Sequence, residues 1–183
     1  SCRPWGIRVM RYLPLFMDLA GRKCLLVGGN QSAARKLRLL VRAGARTVVL
    51  ATDPVPEIQT TADAGKILVL PRGFTPSDLG DVALVIVADA PSDETKAIAH
   101  AARRAGVPLN VVDQPDLCTV ILPGIIDRDP ILVAVGSGGA SPVLVRRVRE
   151  KIESVLPPRL GHLARFARQF RGAVTRVVAA GRP

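Results

Sequence analysis

A chain of 183 residues with 48% hydrophobic and 22% charged side chains holds enough apolar material for one packed core plus a small appendage, which excludes a disordered chain. No apolar run approaches the ~20 residues that span a bilayer. Three cysteines without a C-x-x-C pair and two histidines exclude a disulfide framework and a Cys/His metal centre, and point to a reduced, cytoplasmic protein. The net charge of +11 is uneven, because residues 146–183 carry ten Arg and Lys against two Glu. Aromatic residues make up only 3%, so platforms for stacking bases are scarce. A basic tail can attract nucleic acid, an anionic membrane or a polyanionic small molecule, or be simply a solvated helix face; the expectation is an anionic small molecule or a subunit contact, with no nucleic acid and no membrane as partner. Ser1–Val9 lacks the apolar stretch of a secretory leader, and Met10 is read as the natural start.

Lys23–Gly28 is a short apolar run ending in glycine, as a buried parallel strand should be. Ser32–Ala43 has helical spacing, with Ala33, Ala34, Leu37, Leu40 and Val41 on one face and Gly44 placed to end it. Arg46–Ala51 reads as the second strand, Glu57–Ala64 as a short helix, Ile67–Leu70 as the third strand and Val82–Ala88 as the fourth. Ser92–Ala105 is a helix with Ser92 placed as its cap and Asp93 and Glu94 in the first turn. Leu109–Val112 is the fifth strand. Strands alternating with helices over short links predict an α/β fold, a Rossmann-like doubly wound parallel sheet over residues 10–115 that binds a nucleotide.

The pattern then changes. Thr119–Leu122 and Ile131–Gly136 flank a turn-rich Asp127-Arg128-Asp129-Pro130 and are expected to pair as an antiparallel hairpin. Ser141-Pro142 opens a helix whose stripe is Val145, Val148, Ile152 and Val155, and Pro157-Pro158 stops it. Leu160–Ala180 is a second amphipathic helix, with Leu163, Phe166, Ala167, Phe170, Val174 and Val177 on one side. A hairpin and two helices are too little to close a core alone. They are expected to complete a homodimer, with residues 116–156 as the dimerisation segment and 157–183 as a C-terminal helical segment.

Gly28-Gly29-Asn30-Gln31-Ser32-Ala33 lies at a strand-to-helix junction, where the dinucleotide fingerprint G-x-G-x-x-G/A belongs. Gly28 fits the tight turn and Ala33 the close helix–strand contact. Asn30 stands at the second glycine position, and asparagine tolerates the left-handed conformation expected there. The helix N-terminus supplies N–H groups for phosphates. Thr52 and Asp53 follow the second strand. An acid there accepts from ribose hydroxyls and repels a 2′-phosphate, which favours NAD over NADP. Asp113 ends the fifth strand, where ligands bind in open α/β sheets, and is a candidate general base. Capping of the following Gln114-Pro115 turn is the structural alternative. Gly136–Gly139 would let backbone approach a ligand closely. Ser137 has no neighbouring base in the sequence to make it a nucleophile. Cys118 reads as a small core residue, and His100 and His162 as solvent-facing.

These residues carry a resemblance. Met10-Arg11-Tyr12-Leu13-Pro14-Leu15-Phe16, the L-L-V-G-G turn, Ala34-Arg35-Lys36, Ala43-Gly44-Ala45, N-V-V-D at 110–113, I-L-P-G-I-I-D-R at 121–128 and G-S-G-G-A-S-P-V-L at 136–144 occur in order. The chain resembles the precorrin-2 dehydrogenase/sirohydrochlorin ferrochelatase family, the first module of siroheme synthase, from about Met10 to Gly172. The resemblance implies NAD-dependent oxidation of precorrin-2 to sirohydrochlorin, then Fe²⁺ insertion in the same cleft, in a homodimer. It places the catalytic aspartate on Asp113, the pyrophosphate turn on Gly28, Gly29, Asn30, Gln31 and Ser32, and the ribose region on Thr52 and Asp53. Ser137, with Gly138 beside it, matches a serine that is phosphorylated in some members, and both are assigned to substrate binding. The family turn has three consecutive glycines; here the third is Asn30. No methyltransferase module follows, so a separate source of precorrin-2 is expected unless the chain is part of a longer protein. Dehydrogenase activity without chelation, and a non-catalytic NAD- or tetrapyrrole-sensing module, are the alternatives.

Overall fold

The structure, a computed structural model, describes residues 11–180, with side chains through residue 170. Met10 and the nine residues before it lie outside the described residues, as do the side chains of Val174 and Val177. The chain divides into two compact units between Ile121 and Leu122.

The first unit is a five-stranded parallel sheet. Its strands are β1 (Lys23–Val27), β2 (Arg46–Leu50), β3 (Ile67–Leu70), β4 (Val82–Val87) and β5 (Leu109–Val111), in the order β3-β2-β1-β4-β5. Their helices are α1 (Gln31–Arg42), α2 (Pro56–Asp63) and α3 (Ser92–Ala105). Burial on both faces of a parallel sheet demands continuous apolar strands, and all six residues of β4 are buried. Leu25, Val85, Ile98, Ala102 and Leu109 are buried in one cluster that joins β1, β4, α3 and β5. On α1 the buried face is Ala33, Ala34, Leu37 and Leu40, as the spacing predicts. The helix ends at a left-handed Gly44 (φ 71°), whose N–H donates to the carbonyl of Val41. His100 and His162 are exposed.

Two local expectations are corrected. Ser92 is the first residue inside α3, not its cap; Pro91 takes the cap position without a side-chain hydrogen bond. Proline's φ of −53° is ready-made for the extended entry, so the helix starts one residue later than a serine cap would have it. Thr119–Leu122 is not a strand of the hairpin. Thr119 and Val120 both donate to the carbonyl of Leu109, at 2.9 and 3.1 Å, and the buried Asn110 amide donates to the carbonyl of Val120 at 3.0 Å. The segment is tied to the end of the parallel sheet, and Pro123, which has no N–H, separates it from the hairpin.

The second unit holds the hairpin of β6 (Gly124–Arg128) and β7 (Ile131–Val135), and helices α4 (Pro142–Val155) and α5 (Leu160–Ala180). Ser141 caps α4, its Oγ accepting from the Leu144 N–H at 3.2 Å. Gly161 lies flush on the backbone of Arg128 and Asp129, where a Cβ would collide with both carbonyls. Arg165 then donates to the Asp129 carbonyl at 2.7 Å, which fixes the start of α5 on the hairpin turn. Ile126 is the one fully buried large side chain of this unit among the described residues. No residue of α4 is buried, and Leu144, Val155, Leu163 and Phe166 are all more than half exposed. Of the stripe expected on α4, Val145 and Ile152 are half-buried while Val148 and Val155 are exposed, and on α5 Leu163, Phe166 and Phe170 are exposed.

Candidate functional site

The carboxyl ends of β1, β2, β4 and β5 set the candidate site. β1 is paired with β2 on one side and with β4 on the other, so the crevice of the doubly wound sheet opens between β1 and β4. Directly after β1, Gly28 takes φ +117°, and its N–H donates to the carbonyl of Leu50 at 2.9 Å. A Cβ on Gly28 would stand 2.6 Å from the Asp89 nitrogen, and one on Gly29 2.8 Å from the Asp53 carbonyl oxygen. The Val55 N–H donates to the Gly29 carbonyl at 2.8 Å. Both glycines are therefore required by the neighbouring loops themselves: one lets the end of β4 close on β1, the other lets the end of β2 do so.

Asn30 is not left-handed. Its φ and ψ are −82° and −177°, ordinary extended backbone, and it is the N-cap of α1. Its Oδ1 accepts from the Ser32 N–H at 2.9 Å and from the Ala33 N–H at 3.0 Å. The left-handed role belongs to Gly28, while asparagine serves the position by its short side chain reaching back to the helix. The N–H groups of Gly29, Asn30 and Gln31 have no acceptor among the described residues. With the positive end of α1 behind them, they fit a pyrophosphate.

Asp53 is exposed in the turn after β2, beside Thr52, so its carboxylate is open to a ribose. Asp89, to which no motif in the sequence points, is exposed at the end of β4 against Gly28.

Asp113 stands two residues beyond β5 with φ +60°, a conformation uncommon for any residue but glycine. It is exposed, and its carboxylate accepts no hydrogen bond among the described residues. The turn is closed by the Gln114 N–H, which donates to the Val111 carbonyl at 3.4 Å, and by the Cys118 thiol, which donates to the Val111 and Gln114 carbonyls, so Asp113 does not cap it. The half-buried Cys118 packs beneath, its Sγ accepting from the Val111 N–H at 3.1 Å. A second residue, quoted within Ala34-Arg35-Lys36 but given no role from the sequence, is Lys36 of α1, half-buried and without a hydrogen-bonded partner among the described residues. Burial pushes its ammonium below the ordinary lysine value and Arg35 adds to this, while the charge of Asp113 opposes both. The signal was present in the spacing: Lys36 follows Ala33 by three residues and precedes Leu40 by four, a lysine on the apolar stripe.

Ser137 and Gly138 belong to the second unit, in the loop between β7 and α4. Ser137 Oγ accepts from the Ser141 N–H at 3.0 Å and so holds the loop that caps α4. Gly138 is left-handed at φ 64°. Among the described residues no three His, Cys, Asp or Glu side chains gather as a metal cage, and no helix is long and apolar enough to cross a membrane.

A five-stranded parallel sheet with a glycine turn and open amides at its crevice defines a dinucleotide-binding α/β protein. Residues 15–124 match the family described as "Putative NAD(P)-binding", and the chain belongs to that family. It is 45% identical over 166 residues to a siroheme synthase of Nitrosomonas europaea, covering 90% of this chain and 35% of that protein. A siroheme synthase of Methylococcus capsulatus is 47% identical over 169 residues, covering 92% and 36%. The chain thus spans about a third of the length of these relatives. Among solved structures, the fold matches "SirC, precorrin-2 dehydrogenase" with a TM-score of 0.74 at 23% identity, covering 90% of this chain and 81% of that one. The resemblance read from the sequence motifs is borne out, and the dinucleotide is the nicotinamide type for which the family is named.

Proposed function

We propose that this chain oxidises precorrin-2 to sirohydrochlorin with NAD⁺ and then assists Fe²⁺ insertion to give siroheme. The observation that carries this is the open carboxylate of Asp113 on the same sheet edge as the glycine turn, within a chain 45% identical to a siroheme synthase over 90% of its length. NAD⁺, when bound, accepts a hydride. The residues that would hold it are the amides of Gly29, Asn30 and Gln31 at the pyrophosphate, with Thr52 and Asp53 at the ribose. The substrate loses a proton along with that hydride, and Asp113 is the group that takes it. In chelation, the two pyrrole protons displaced by Fe²⁺ need the same kind of acceptor, and the exposed Asp113 serves it. Lys36, whose charged form Asp113 favours, attracts the carboxylates of the polyanionic tetrapyrrole. Ser137 and Gly138 contact substrate in this reading. A cytoplasmic location belongs to this proposal on the cysteine usage of the sequence, three cysteines without a pairing pattern.

Anaerobic incubation with precorrin-2 tests the reading, with tetrapyrrole absorption followed. Conversion to sirohydrochlorin is expected with NAD⁺ and more slowly with NADP⁺. Addition of Fe²⁺ is expected to convert the product to siroheme faster than in buffer. No oxidation with either nucleotide would refute the dehydrogenase, and iron insertion at the buffer rate would remove the chelatase.

The exposed apolar side chains of α4 and α5 support a homodimer as the working form. Leu144, Val155, Leu163 and Phe166 are large apolar side chains, each more than half exposed. A patch of this kind on an isolated chain marks an association surface. Light scattering at micromolar concentration is expected to give twice the chain mass; a stable monomer would refute the assignment.

A further inference from the structure

The helix start at the glycine turn already has an occupant. The two glycines that precede Asn30 are consumed by internal packing, against Asp89 and against Asp53 and Pro54. The place where the fingerprint would have backbone alone, open to a phosphate, holds a side chain instead. That side chain is folded onto its own helix. Its Oδ1 takes the N–H groups of Ser32 and Ala33, the second and third residues of α1. These are donors an anion at a helix N-terminus also uses.

We propose that Asn30 sets the affinity of the turn for a pyrophosphate, because its amide oxygen is a built-in competitor for the two helix donors. The inference rests on the dinucleotide reading above and deepens it. The competition is local. The amide reaches residues two and three positions on, so holding it orders only one short side chain. A pyrophosphate has two courses. It settles on the Gly29, Asn30 and Gln31 amides alone and leaves two helix donors unused, or it displaces Oδ1 and binds all five. Either course weakens binding relative to a turn with glycine at position 30, where nothing has to move. The neutral amide is a mild competitor. A carboxylate in its place would hold the same two donors more strongly and also repel the ligand's charge.

Two variants separate the roles, with NADH, ADP and adenosine as probes and thermal unfolding as a second readout. Asn30→Gly is expected to bind NADH and ADP about tenfold more tightly, the worth of roughly one recovered hydrogen bond to a charged group. Its binding of adenosine, which lacks phosphate, is expected to stay unchanged. Its melting temperature should fall only slightly, because glycine is itself an acceptable N-cap. Asn30→Asp is expected to melt at the same or a higher temperature while binding NADH and ADP at least about tenfold more weakly. Equal or weaker NADH binding by Asn30→Gly would overturn the proposal, since the amide would then be a spectator or a ligand. A gain for adenosine as large as that for ADP would overturn it too, because the turn would merely have been opened. If parent and variants alike bind no NADH at millimolar concentration, the dinucleotide reading falls and this inference with it. If the parent binds and Asn30→Gly is no better, only this inference falls.

Discussion

Asp113→Asn is expected to lower precorrin-2 oxidation about 10²–10⁴-fold, roughly 3–5 kcal/mol of barrier, the usual contribution of a placed acid–base group. The substitution is clean because of the backbone it sits on. At φ +60° most side chains crowd the following carbonyl, but asparagine tolerates this region as well as aspartate does. The carboxylate caps nothing, so no hydrogen bond is lost in the fold. Melting temperature and NADH affinity should therefore stay near the parent's while turnover collapses. Asp113→Ala is the less clean test, since it adds strain of about 1 kcal/mol in the left-handed turn. If Asp113→Asn turns over within a few-fold of the parent, the proton goes elsewhere and the assignment is wrong. Survival of iron insertion in a variant that no longer oxidises would show that the two reactions use different groups.

The same variant probes Lys36. In the parent its ammonium is disfavoured by burial and by Arg35, and Asp113 is the charge that opposes them. Neutralising Asp113 removes that support and pushes Lys36 further toward the uncharged form. Any weakening of substrate binding in Asp113→Asn should therefore grow as pH rises.

What the sequence displayed and what it concealed differ by range. The central strands were legible because each is a short apolar run and both faces of a parallel sheet are buried, as in β4, where all six residues are; the partly exposed edge strand β3 still begins and ends where its run does. The start of α4 was legible because its cap is a local bond between Ser141 and Leu144. Thr119–Leu122 misled for the opposite reason. Its T-V-I-L run has the look of a strand, yet its partner is the carbonyl of Leu109, ten residues back, and the Asn110 side chain completes the attachment. The template match at Asn30 identified the right turn and the wrong conformation, because a fingerprint records where glycine is needed and not what an asparagine will do with its amide. The place of Lys36 on the apolar stripe was readable in the spacing, but its neighbour Asp113 was not, because only the folded sheet brings the flank of α1 near the end of β5. Ser137 and Gly138 occupy a loop whose local bonds were readable, since Ser137 and Ser141 lie four residues apart just before the helix that the second of them caps.

Gly28→Ala and Gly29→Ala are expected to be severely destabilising, and for reasons that differ. At Gly28 the φ of +117° is one that L side chains rarely adopt, and the new methyl would stand 2.6–2.8 Å from the backbone and Cβ of Asp89. At Gly29 the backbone is permissive, but the methyl would meet the Asp53 carbonyl oxygen at 2.8 Å and the Pro54 Cα at 3.0 Å. Neither neighbour is a flexible chain end that can turn aside. Gly28→Ala combines strain with overpacking, each typically 1–3 kcal/mol, and should lose about 3 kcal/mol or more. Gly29→Ala should lose about 1–3 kcal/mol from overpacking alone. Against a usual domain stability of ~5–15 kcal/mol, the first is enough to leave part of the chain unfolded at growth temperature. Urea titration of the apoprotein reads this without any ligand present. If both alanine variants unfold with the parent's midpoint and lose only NADH binding, the glycines serve the pyrophosphate and not the packing of β2 and β4 onto β1. If the midpoints fall in the order parent, Gly29→Ala, Gly28→Ala, the turn is a structural joint first. Its openness to a dinucleotide then depends on position 30, the one place in the turn where the fold itself does not demand glycine.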